Sequence, residues 1–314
     1  MRKTSLTCVH NLATQDERVI FLGSDLGAGV LEDMKRTMPD RWYMEGVAEQ
    51  HIIGMAAGLA MEGFIPYVNT IATFLTRRCF EQVAVDLCLH NLPVKLIGNG
   101  GGLVYAPLGP THQAIEDIAI MRSIPNMTVV APCDADEMRR LMAESLFWPS
   151  PLYIRVAKGG DRVVSCHELG FSIGKAILMR EPGELLFVCT GIMTQRVLEA
   201  AAILKNNGMN CGVLHVHTIK PFDKELLTKL ISNVQRLVTV EEHVLNGGLG
   251  STVIEALHDG ENRLVPNVLR LGLPDKFTSH YGSQDSLLTS YGLSVDGIVS
   301  AVKATAKVHG SNVS

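Results

Sequence analysis

The fold is decided by the stretch Met44-Glu45-Gly46-Val47-Ala48-Glu49-Gln50-His51-Ile52-Ile53-Gly54-Met55-Ala56-Ala57-Gly58-Leu59-Ala60-Met61-Glu62-Gly63. From Gly46 to Met61 nearly every residue is apolar or very small, so the stretch predicts a buried helix without a solvent face. Its glycines and alanines would let other backbones approach closely, which a surface helix does not need. One acidic residue, Glu49, stands at the start of this apolar stretch.

Two interpretations of Glu49 remain open on the pattern alone. A carboxylate that is buried without a partner is costly, so it takes up a proton or finds a hydrogen-bond partner. The first interpretation therefore places Glu49 against a polar ligand in a crevice. The second places Glu49 and Gln50 on an exposed first turn, where acidic groups interact favourably with the helix dipole.

Size and charge narrow the class of protein. With 314 residues, of which 46% are hydrophobic and 19% charged, the chain is long enough for two well-packed domains. A net charge of -4 offers no electrostatic attraction for nucleic acid or for an anionic membrane. The first residues lack the apolar core of a signal peptide, and the longest apolar run, 52–61, is too short to cross a bilayer. We expect a cytoplasmic protein with neither a nucleic-acid nor a membrane partner.

The cysteines are scattered and include no Cys-x-x-Cys pair. This pattern indicates reduced thiols in a cytoplasm and argues against a disulfide framework or a structural zinc site. We expect each of the seven to be a small buried hydrophobic residue. They are Cys8, Cys79, Cys88, Cys133, Cys166, Cys189 and Cys211.

Strand and helix patterns alternate along the whole chain, which is typical of parallel α/β sheets. The predicted strands cover 18–23, 65–70, 93–98, 127–131, 152–156, 184–190, 210–217 and 236–241. The predicted helices include the central one and those over 74–90, 114–121, 134–147, with Asp134 as the cap of the last, and 194–207. A linker over 157–175 separates two α/β units, the second of which starts at Gly183. The fold class is therefore α/β, with two parallel-sheet domains.

Three loops are candidates for chemistry, because ligands of open parallel sheets bind beyond the carboxyl ends of the strands. They are Ser24-Asp25, Asn99-Gly100-Gly101-Gly102 and Gly109-Pro110-Thr111-His112-Gln113. No Gly-x-Gly-x-x-Gly or Gly-x-x-x-x-Gly-Lys motif follows a strand, so nicotinamide-dinucleotide and P-loop functions lose their main support. His112 is either a structural histidine or, since histidine titrates near neutral pH, a catalytic one.

An aromatic group lies between these loops in the sequence. Phe74 and Phe80, with Arg77 between them, would form a flat slot with one cation, which suits a planar heterocycle. Aromatic residues at helical spacing also occur in ordinary cores, and the spacing does not decide between the two.

Taken together, these residues resemble the carboxyl-terminal half of the transketolase family, in the right order and over nearly the whole chain. The matching segments are 45–50 (Glu-Gly-Val-Ala-Glu-Gln), 72–77 (Ala-Thr-Phe-Leu-Thr-Arg), 109–113 (Gly-Pro-Thr-His-Gln), 122–127 (Arg-Ser-Ile-Pro-Asn-Met), 131–134 (Ala-Pro-Cys-Asp), 216–223 (Val-His-Thr-Ile-Lys-Pro-Phe-Asp), 239–243 (Thr-Val-Glu-Glu-His) and 246–250 (Asn-Gly-Gly-Leu-Gly). The resemblance implies a pyrimidine-binding domain over 1–165, followed by the family's carboxyl-terminal domain over 166–314. It also implies transfer of a two-carbon ketol unit from a ketose to an aldose.

The resemblance implies that the cofactor, thiamine diphosphate, is shared with a partner chain. The Gly-Asp-Gly…Asn signature that holds the metal and the diphosphate in the family is absent, and Gly160-Asp161-Arg162 does not match it. We therefore expect no metal ligand in this chain. It resembles the second subunit of a split transketolase, in which an amino-terminal-half subunit holds Mg²⁺ or Ca²⁺ and this chain also associates with itself, giving a heterotetramer.

The resemblance also implies roles for individual residues. Glu49 corresponds to the glutamate that hydrogen-bonds the aminopyrimidine ring and promotes its imino tautomer. The other residues that would contact the cofactor are Asp25, Phe74, Arg77 and Phe80. The residues that would contact the substrate are His112, at the substrate oxygens, and Arg155 and Arg2, as ligands of a substrate phosphate.

Departures from the family pattern bear on the substrate. Pro107 and Leu108 stand where the family has acidic residues, one of which contacts a sugar hydroxyl. Gly100 and Gly29 stand where the family has a histidine and a serine that bind phosphate. Fewer polar anchors remain, so we expect an unusual ketose, branched, sulfonated or otherwise modified, in a more apolar pocket.

Other functions remain as alternatives. The same cofactor and domain pair serve the beta subunit of a 2-oxo-acid dehydrogenase's decarboxylating component and deoxyxylulose-phosphate-synthase-like enzymes. The Thr111-His112-Gln113 loop followed by Ile115-Glu116-Asp117 favours the transketolase branch. A non-catalytic subunit that kept the fold is a further alternative, because a fold alone does not guarantee a function.

Overall fold

The computed structural model describes residues 1–259 and 266–310, and it has the α/β architecture that the sequence predicts. The chain forms two sheets of mostly parallel strands. Both faces of the first sheet are covered, since the central helix packs in one hydrophobic cluster and the first helix in another. Burial on both faces explains why the inner strands are continuous apolar runs.

The first sheet has seven strands in the order β10-β5-β6-β4-β3-β1-β2, and all are parallel to their neighbours except β10, which is antiparallel to β5. The strands are β1 (Val19–Gly23), β2 (Trp42–Met44), β3 (Ile65–Ile71), β4 (Lys95–Asn99), β5 (Thr128–Val130), β6 (Leu152–Val156) and β10 (Thr218–Lys220).

The second sheet has five strands in the order β12-β11-β8-β9-β7, with only β7 antiparallel to its neighbour. The strands are β7 (Ile177–Arg180), β8 (Leu185–Cys189), β9 (Cys211–His215), β11 (Arg236–Val244) and β12 (Asn267–Leu273).

The α-helices of the described residues surround these sheets. They are α1 (Arg2–Gln15), α2 (Glu32–Thr37), α3 (Glu49–Met61), α4 (Phe80–Gln82), α5 (Asp117–Ser123), α6 (Ala135–Ser145), α7 (Met193–Asn206), α8 (Lys224–Leu230), α9 (Leu249–His258), α10 (Gln284–Ser290) and α11 (Val295–Gly310). Short 3₁₀ turns occupy Ala28–Val30, Pro39–Arg41, Ala106–Leu108, His167–Leu169 and Ile231–Asn233. Asp134 caps α6 as predicted, because its carboxylate accepts hydrogen bonds from the Asp136 and Glu137 amides. Among the described residues, no helix is both long enough and apolar enough to cross a membrane.

Every predicted strand is present, but the edge strands were missed. The four strands that the sequence does not predict, β2, β7, β10 and β12, are the two edges of each sheet. Edge strands bury less of their surface and carry a weaker apolar pattern than inner strands. The predicted boundary at residue 165 stays a prediction, and β10 crosses it, since this strand follows β9 of the second sheet in the sequence but pairs within the first sheet.

The prediction that α3 lacks a solvent face was wrong for this chain. Ile52, Ile53 and Ala56 are buried in the core, as expected. Gly54 and Gly58, in contrast, lie on an exposed face, and a Cβ atom added at either would meet no atom within 4 Å. The helix is therefore apolar on all sides, yet this chain buries only one of its faces and leaves the face of Gly54 and Gly58 exposed.

The predicted helix over 74–90 is irregular. Two π-helical segments, Phe74–Arg78 and Val83–Leu89, flank the single turn of α4. The helix predicted from residue 114 begins only at Asp117, because Ala114 forms bridges with Gly101 and Gly102. An added residue in a helical turn shifts which side chains share a face, which affects the site described below.

All seven cysteines are free, in line with the expectation of reduced thiols. Their expected burial holds for five of them, whereas Cys8 is half-buried and Cys166 is exposed.

Candidate active site

The carboxylate of Glu49 lies at the first turn of α3 and is only 1% exposed. Its Oε2 accepts a hydrogen bond of 2.5 Å from Nη1 of Arg78. Its Oε1 is buried and has no partner among the described residues. Gln50, by contrast, is exposed. The exposed first turn is therefore excluded as the place of the Glu49 carboxylate, whereas the ligand crevice of the other interpretation stays a prediction.

Phe74 and Arg78 form the wall beside this carboxylate. The guanidinium carbon of Arg78 lies 4.2 Å from the centre of the Phe74 ring. Both residues belong to the π-helical segment, which brings the first and fifth residues of the segment onto the same side as Glu49. Sequence reasoning missed Arg78, because the family resemblance points to Arg77 and helical spacing does not distinguish two adjacent arginines.

Arg77, which the resemblance places against the cofactor ring, points elsewhere. Its Nη1 donates to the carbonyl of Pro110 at 3.0 Å and its Nη2 to that of Gln113 at 2.8 Å. Nε and Nη2 also pair with the carboxylate of Glu116. These contacts tie down the loop that carries His112, so the geometry makes Arg77 a positioning residue of that loop.

His112 lies in contact with the aromatic wall. Its ring is 5.4 Å from the Phe74 ring, edge to face, and 6.4 Å from the Tyr105 ring. The hydroxyl of Thr111 is 2.8 Å from its Nδ1. His112 is half-buried, so a ring nitrogen remains within reach of a ligand. The histidine therefore stands between the Glu49 side of the site and Tyr105.

Polar side chains lie together at the carboxyl ends of β1, β3 and β4. The Ser24 and Thr70 hydroxyls share a hydrogen bond of 2.7 Å, and Ser24 also donates to Asp25 at 3.0 Å. The amide nitrogen of Asn99 donates to the Asn69 side chain at 2.7 Å, whereas its Oδ1 is buried without a partner in the described part of the chain. Asp25 itself is exposed at this edge.

A cavity of about 170 Å³ continues beyond Tyr105. It is lined by Arg2, Asn99, Gly100, Val104, Tyr105, Pro107, Leu108, Ala157 and Lys158. Three of the four predicted changes from the family pattern, Gly100, Pro107 and Leu108, are therefore at this cavity. Phe80, the remaining predicted aromatic residue, lies on the surface with 43% exposure.

Arg155 does not line this cavity, although the resemblance makes it a ligand of substrate phosphate. It is 7% exposed, and its Nε donates to Asp117 at 2.8 Å. Its Nη2 donates to the backbone carbonyls of Ala114 and Glu242. Burial disfavours its charge, but the carboxylates of Asp117 and Glu242 outweigh that effect and raise the pKa of Arg155. The geometry makes this arginine a bridge between the two halves of the chain.

The crevice fits one end of thiamine diphosphate. A buried carboxylate with a free oxygen, next to an aromatic face, suits a flat ring that donates a hydrogen bond. Nothing in this chain matches the Gly-Asp-Gly…Asn signature of the diphosphate and metal end.

Comparison with known proteins identifies the family. Residues 1–160 match the model of the transketolase pyrimidine-binding domain, and residues 174–298 match that of the transketolase C-terminal domain. The chain belongs to the transketolase family, a class of thiamine-diphosphate-dependent enzymes.

Individual relatives refine this comparison. The chain is 37% identical to the 6-deoxy-6-sulfo-D-fructose transketolase subunit SqwH of a Clostridium species, over 96% of this chain and 92% of that one. It is 36% identical to the 1-deoxy-D-xylulose-5-phosphate synthase of Caldanaerobacter subterraneus, over 93% of this chain but 46% of that one. A solved structure described as a split-gene transketolase, inactive beta4 tetramer, superimposes with a TM-score of 0.88 at 33% identity, covering 96% of this chain and 97% of that one.

Proposed function

We propose that the chain is one subunit of a heteromeric, thiamine-diphosphate-dependent transketolase, which moves a two-carbon ketol unit from a ketose to an aldose. The observation that carries this proposal is the buried Glu49 carboxylate, which keeps one free oxygen beside Phe74. Two neighbours that align over nearly their whole length support a split enzyme, since one is described as a transketolase subunit and the other as a split-gene transketolase.

Each residue of the crevice has a separate task in this proposal. Glu49 would hydrogen-bond the aminopyrimidine ring through its free oxygen, while Arg78 fixes the other oxygen. Phe74 would lie against the ring. When bound, thiamine diphosphate supplies the carbon nucleophile that takes up the ketol unit. His112 would bind the hydroxyl and carbonyl oxygens of the ketol end and move a proton at a hydroxyl, as a general acid or base.

The other predicted cofactor contacts, Asp25 and Phe80, have less structural support. Asp25 stands at the same sheet edge as Ser24 and Thr70, where its exposed carboxylate would be available to the cofactor. Phe80 is exposed, so a contact with the cofactor would require a surface that another chain covers. Self-association of this chain, with a partner subunit that holds the diphosphate and Mg²⁺ or Ca²⁺, gives the proposed heterotetramer.

The division of the cofactor site predicts that neither subunit works alone. Purified chain, assayed with a ketose donor, an aldose acceptor, thiamine diphosphate and Mg²⁺, should show no ketol transfer. Adding a partner subunit that carries the Gly-Asp-Gly…Asn signature should restore turnover, because the two halves of the pocket then meet. The measurement is aldose-dependent loss of the ketose, with partner alone as the control. Turnover by the chain without any partner would contradict the proposal.

Deoxyxylulose-phosphate-synthase-like condensation is the second candidate, because such a synthase aligns with 93% of this chain. Less than half of the synthase is covered, whereas the two split-transketolase neighbours are covered almost completely. Release of carbon dioxide from pyruvate by the assembled complex would favour this candidate, or the 2-oxo-acid dehydrogenase alternative, over ketol transfer.

A further inference from the structure

The segment between β12 and α10, residues 274–283, reaches from the second half of the chain onto the loop that carries His112. The hydroxyl of Thr278 donates a hydrogen bond of 2.5 Å to Oε1 of Gln113, the residue that follows His112. Both partners are buried, Thr278 with 7% and Gln113 with 1% of its surface exposed. Two polar side chains from distant parts of the sequence therefore meet beside the histidine, shielded from water.

A second contact holds Gln113 from the first half of the chain. Its backbone carbonyl accepts a hydrogen bond of 2.8 Å from Nη2 of Arg77. The guanidinium carbon of Arg77 lies in turn 5.8 Å from the centre of the Phe277 ring, within the range of a cation–π contact. Arg77 thus fixes the main chain of Gln113, whereas Thr278 fixes its side chain.

The other end of the His112 loop contacts the same segment. Gly109 has a φ of +78°, and a Cβ atom there would lie 2.6 Å from Cε1 of Tyr281. The Tyr281 ring therefore lies directly against the backbone of Gly109. The amide of His112 donates to the Gly109 carbonyl at 3.0 Å, which closes a turn. The loop 109–113 is thus held by residues 274–283 at both of its ends.

The bond from Thr278 is not required to join the two halves of the chain. Arg155 already bridges them through Asp117 and the backbone carbonyl of Glu242. Nε2 of Gln113 has no partner among the described residues, so the bond from Thr278 is the one hydrogen bond of this side chain within the part of the chain that the structure describes. Without that bond a buried amide would be wholly unpaired, which favours local opening of the loop.

We propose that Thr278 is a positioning residue for His112, because its hydrogen bond to Gln113 holds the loop with the imidazole at the reacting end of the substrate. This inference rests on the proposed function, which gives His112 its task. Proton transfer at a hydroxyl requires hydrogen-bond distance, so a loop that opens spends less time in the reactive geometry. The loss should fall on kcat and not on cofactor affinity, since Glu49 and Phe74 lie outside this loop.

The first measurement uses the full chain alone and needs no turnover. Hydrogen exchange of the amides of residues 109–114, followed by mass spectrometry, should be about fivefold faster or more in Thr278→Val, which keeps the shape but cannot donate. Thr278→Ser should restore the wild-type rate, because it restores the hydroxyl. Gln113→Met should act like Thr278→Val, and the double variant should exchange no faster than either single one. Thr289→Val, at an exposed threonine of α10, is the matched control and should leave the exchange unchanged.

The second measurement uses the assembled complex with thiamine diphosphate and Mg²⁺. In Thr278→Val, kcat for ketol transfer should fall by about fivefold or more while the Kd of thiamine diphosphate stays the same, and Thr278→Ser should recover kcat. If the wild-type complex turns over no ketose, the proposed function fails, whereas the exchange result still decides whether Thr278 holds the loop. Unchanged exchange in Thr278→Val would overturn the inference, and so would faster exchange with an unaltered kcat.

Discussion

Glu49 combines two properties that seldom occur together, complete burial and incomplete hydrogen bonding. Its single partner among the described residues is Arg78, whose side chain is itself 42% exposed. A buried carboxylate oxygen without a partner costs free energy that the fold must offset elsewhere. Groups that are retained at such a cost are typical of ligand sites.

At the residue scale we therefore expect Glu49→Gln to remove activity without unfolding the protein. Turnover of the assembled complex should fall by about 100-fold or more, because the amide cannot take over the proton chemistry of the carboxyl group. Thermal unfolding of the variant should stay close to that of the wild type. The matched control is Glu62→Gln, at the exposed end of the same helix. Near-normal turnover of Glu49→Gln would exclude the proposed role.

From sequence alone, a site residue can be proposed where its residue type by itself indicates the chemistry. Glu49, Phe74 and His112 are an acid, an aromatic ring and an imidazole, and the structure brings them near one another, since Arg78 contacts both Glu49 and Phe74 and Phe74 contacts His112. Arg77 and Arg78 could not be told apart, since adjacent arginines differ only in direction and a π-helical turn sets that direction. The internal pairing of Arg155 depends on Asp117 and Glu242, which are distant in the sequence.

At the scale of a single element, α3 is a helix that the rest of this chain covers on one face only. One face packs in the core, whereas Gly54 and Gly58 are open on the other. The pattern predicted burial on all sides, which a single chain does not provide. Such small-residue faces permit close approach of a second backbone, in line with the proposed self-association.

We expect Gly58→Leu to weaken self-association while the chain itself stays folded. A Cβ atom at this position meets nothing within 4 Å, so the isolated chain has room for the side chain. A close contact between two chains would be overpacked by about 1–3 kcal/mol, which is a loss of affinity of about fivefold to more than 100-fold. Sedimentation velocity measures the change. Lys303→Leu, on the exposed side of α11, is the control, and an unaltered association constant in Gly58→Leu would refute the role of this face.

On the scale of the whole molecule, buried charges join the two halves. Glu137 of α6 pairs with His215 of β9 at 2.9 Å, and both side chains are fully buried. His217 lies beside His215, with ring centres 5.8 Å apart, and stacks on Phe171. Burial lowers the pKa of His217 to about 4, and its Nε2 has no partner among the described residues.

This arrangement predicts a loss of stability in mild acid. Between pH 6.5 and pH 4 the unfolded chain binds a proton at residue 217 and the folded chain does not, so stability falls as the pH is lowered. From pH 7 to pH 5 this group should contribute a loss of about 2 kcal/mol in the free energy of unfolding. Urea unfolding at both pH values should show that His217→Gln lacks this part of the loss.

The neighbouring titratable groups do not cause the same loss of stability between pH 7 and pH 5. The carboxylate of Glu137 raises the pKa of His215 despite burial, so the stability due to His215 is complete below pH 6.5 and is lost only as the pH rises above it. His90→Gln, at an exposed histidine, serves as the control. An equal acid-induced loss in wild type and His217→Gln would disprove this account.

Alternation of strands and helices suffices to predict two α/β units, because inner parallel strands are apolar along their whole length. It does not predict how the units join. The short strand β10 has no pattern that assigns it to the first sheet, and only the folded backbone brings it against β5.

At β10 the second half of the chain supplies a strand to the first sheet, so the two halves cannot be separated without breaking that sheet. Cutting the chain at the predicted linker would remove the edge strand β10 of the first sheet. The backbone N–H and C=O groups on that side of β5 would then have no partner strand. An open edge of this kind invites pairing with any extended peptide nearby. Gene fusions or truncations that treat residues 1–165 as an independent module would therefore be expected to aggregate.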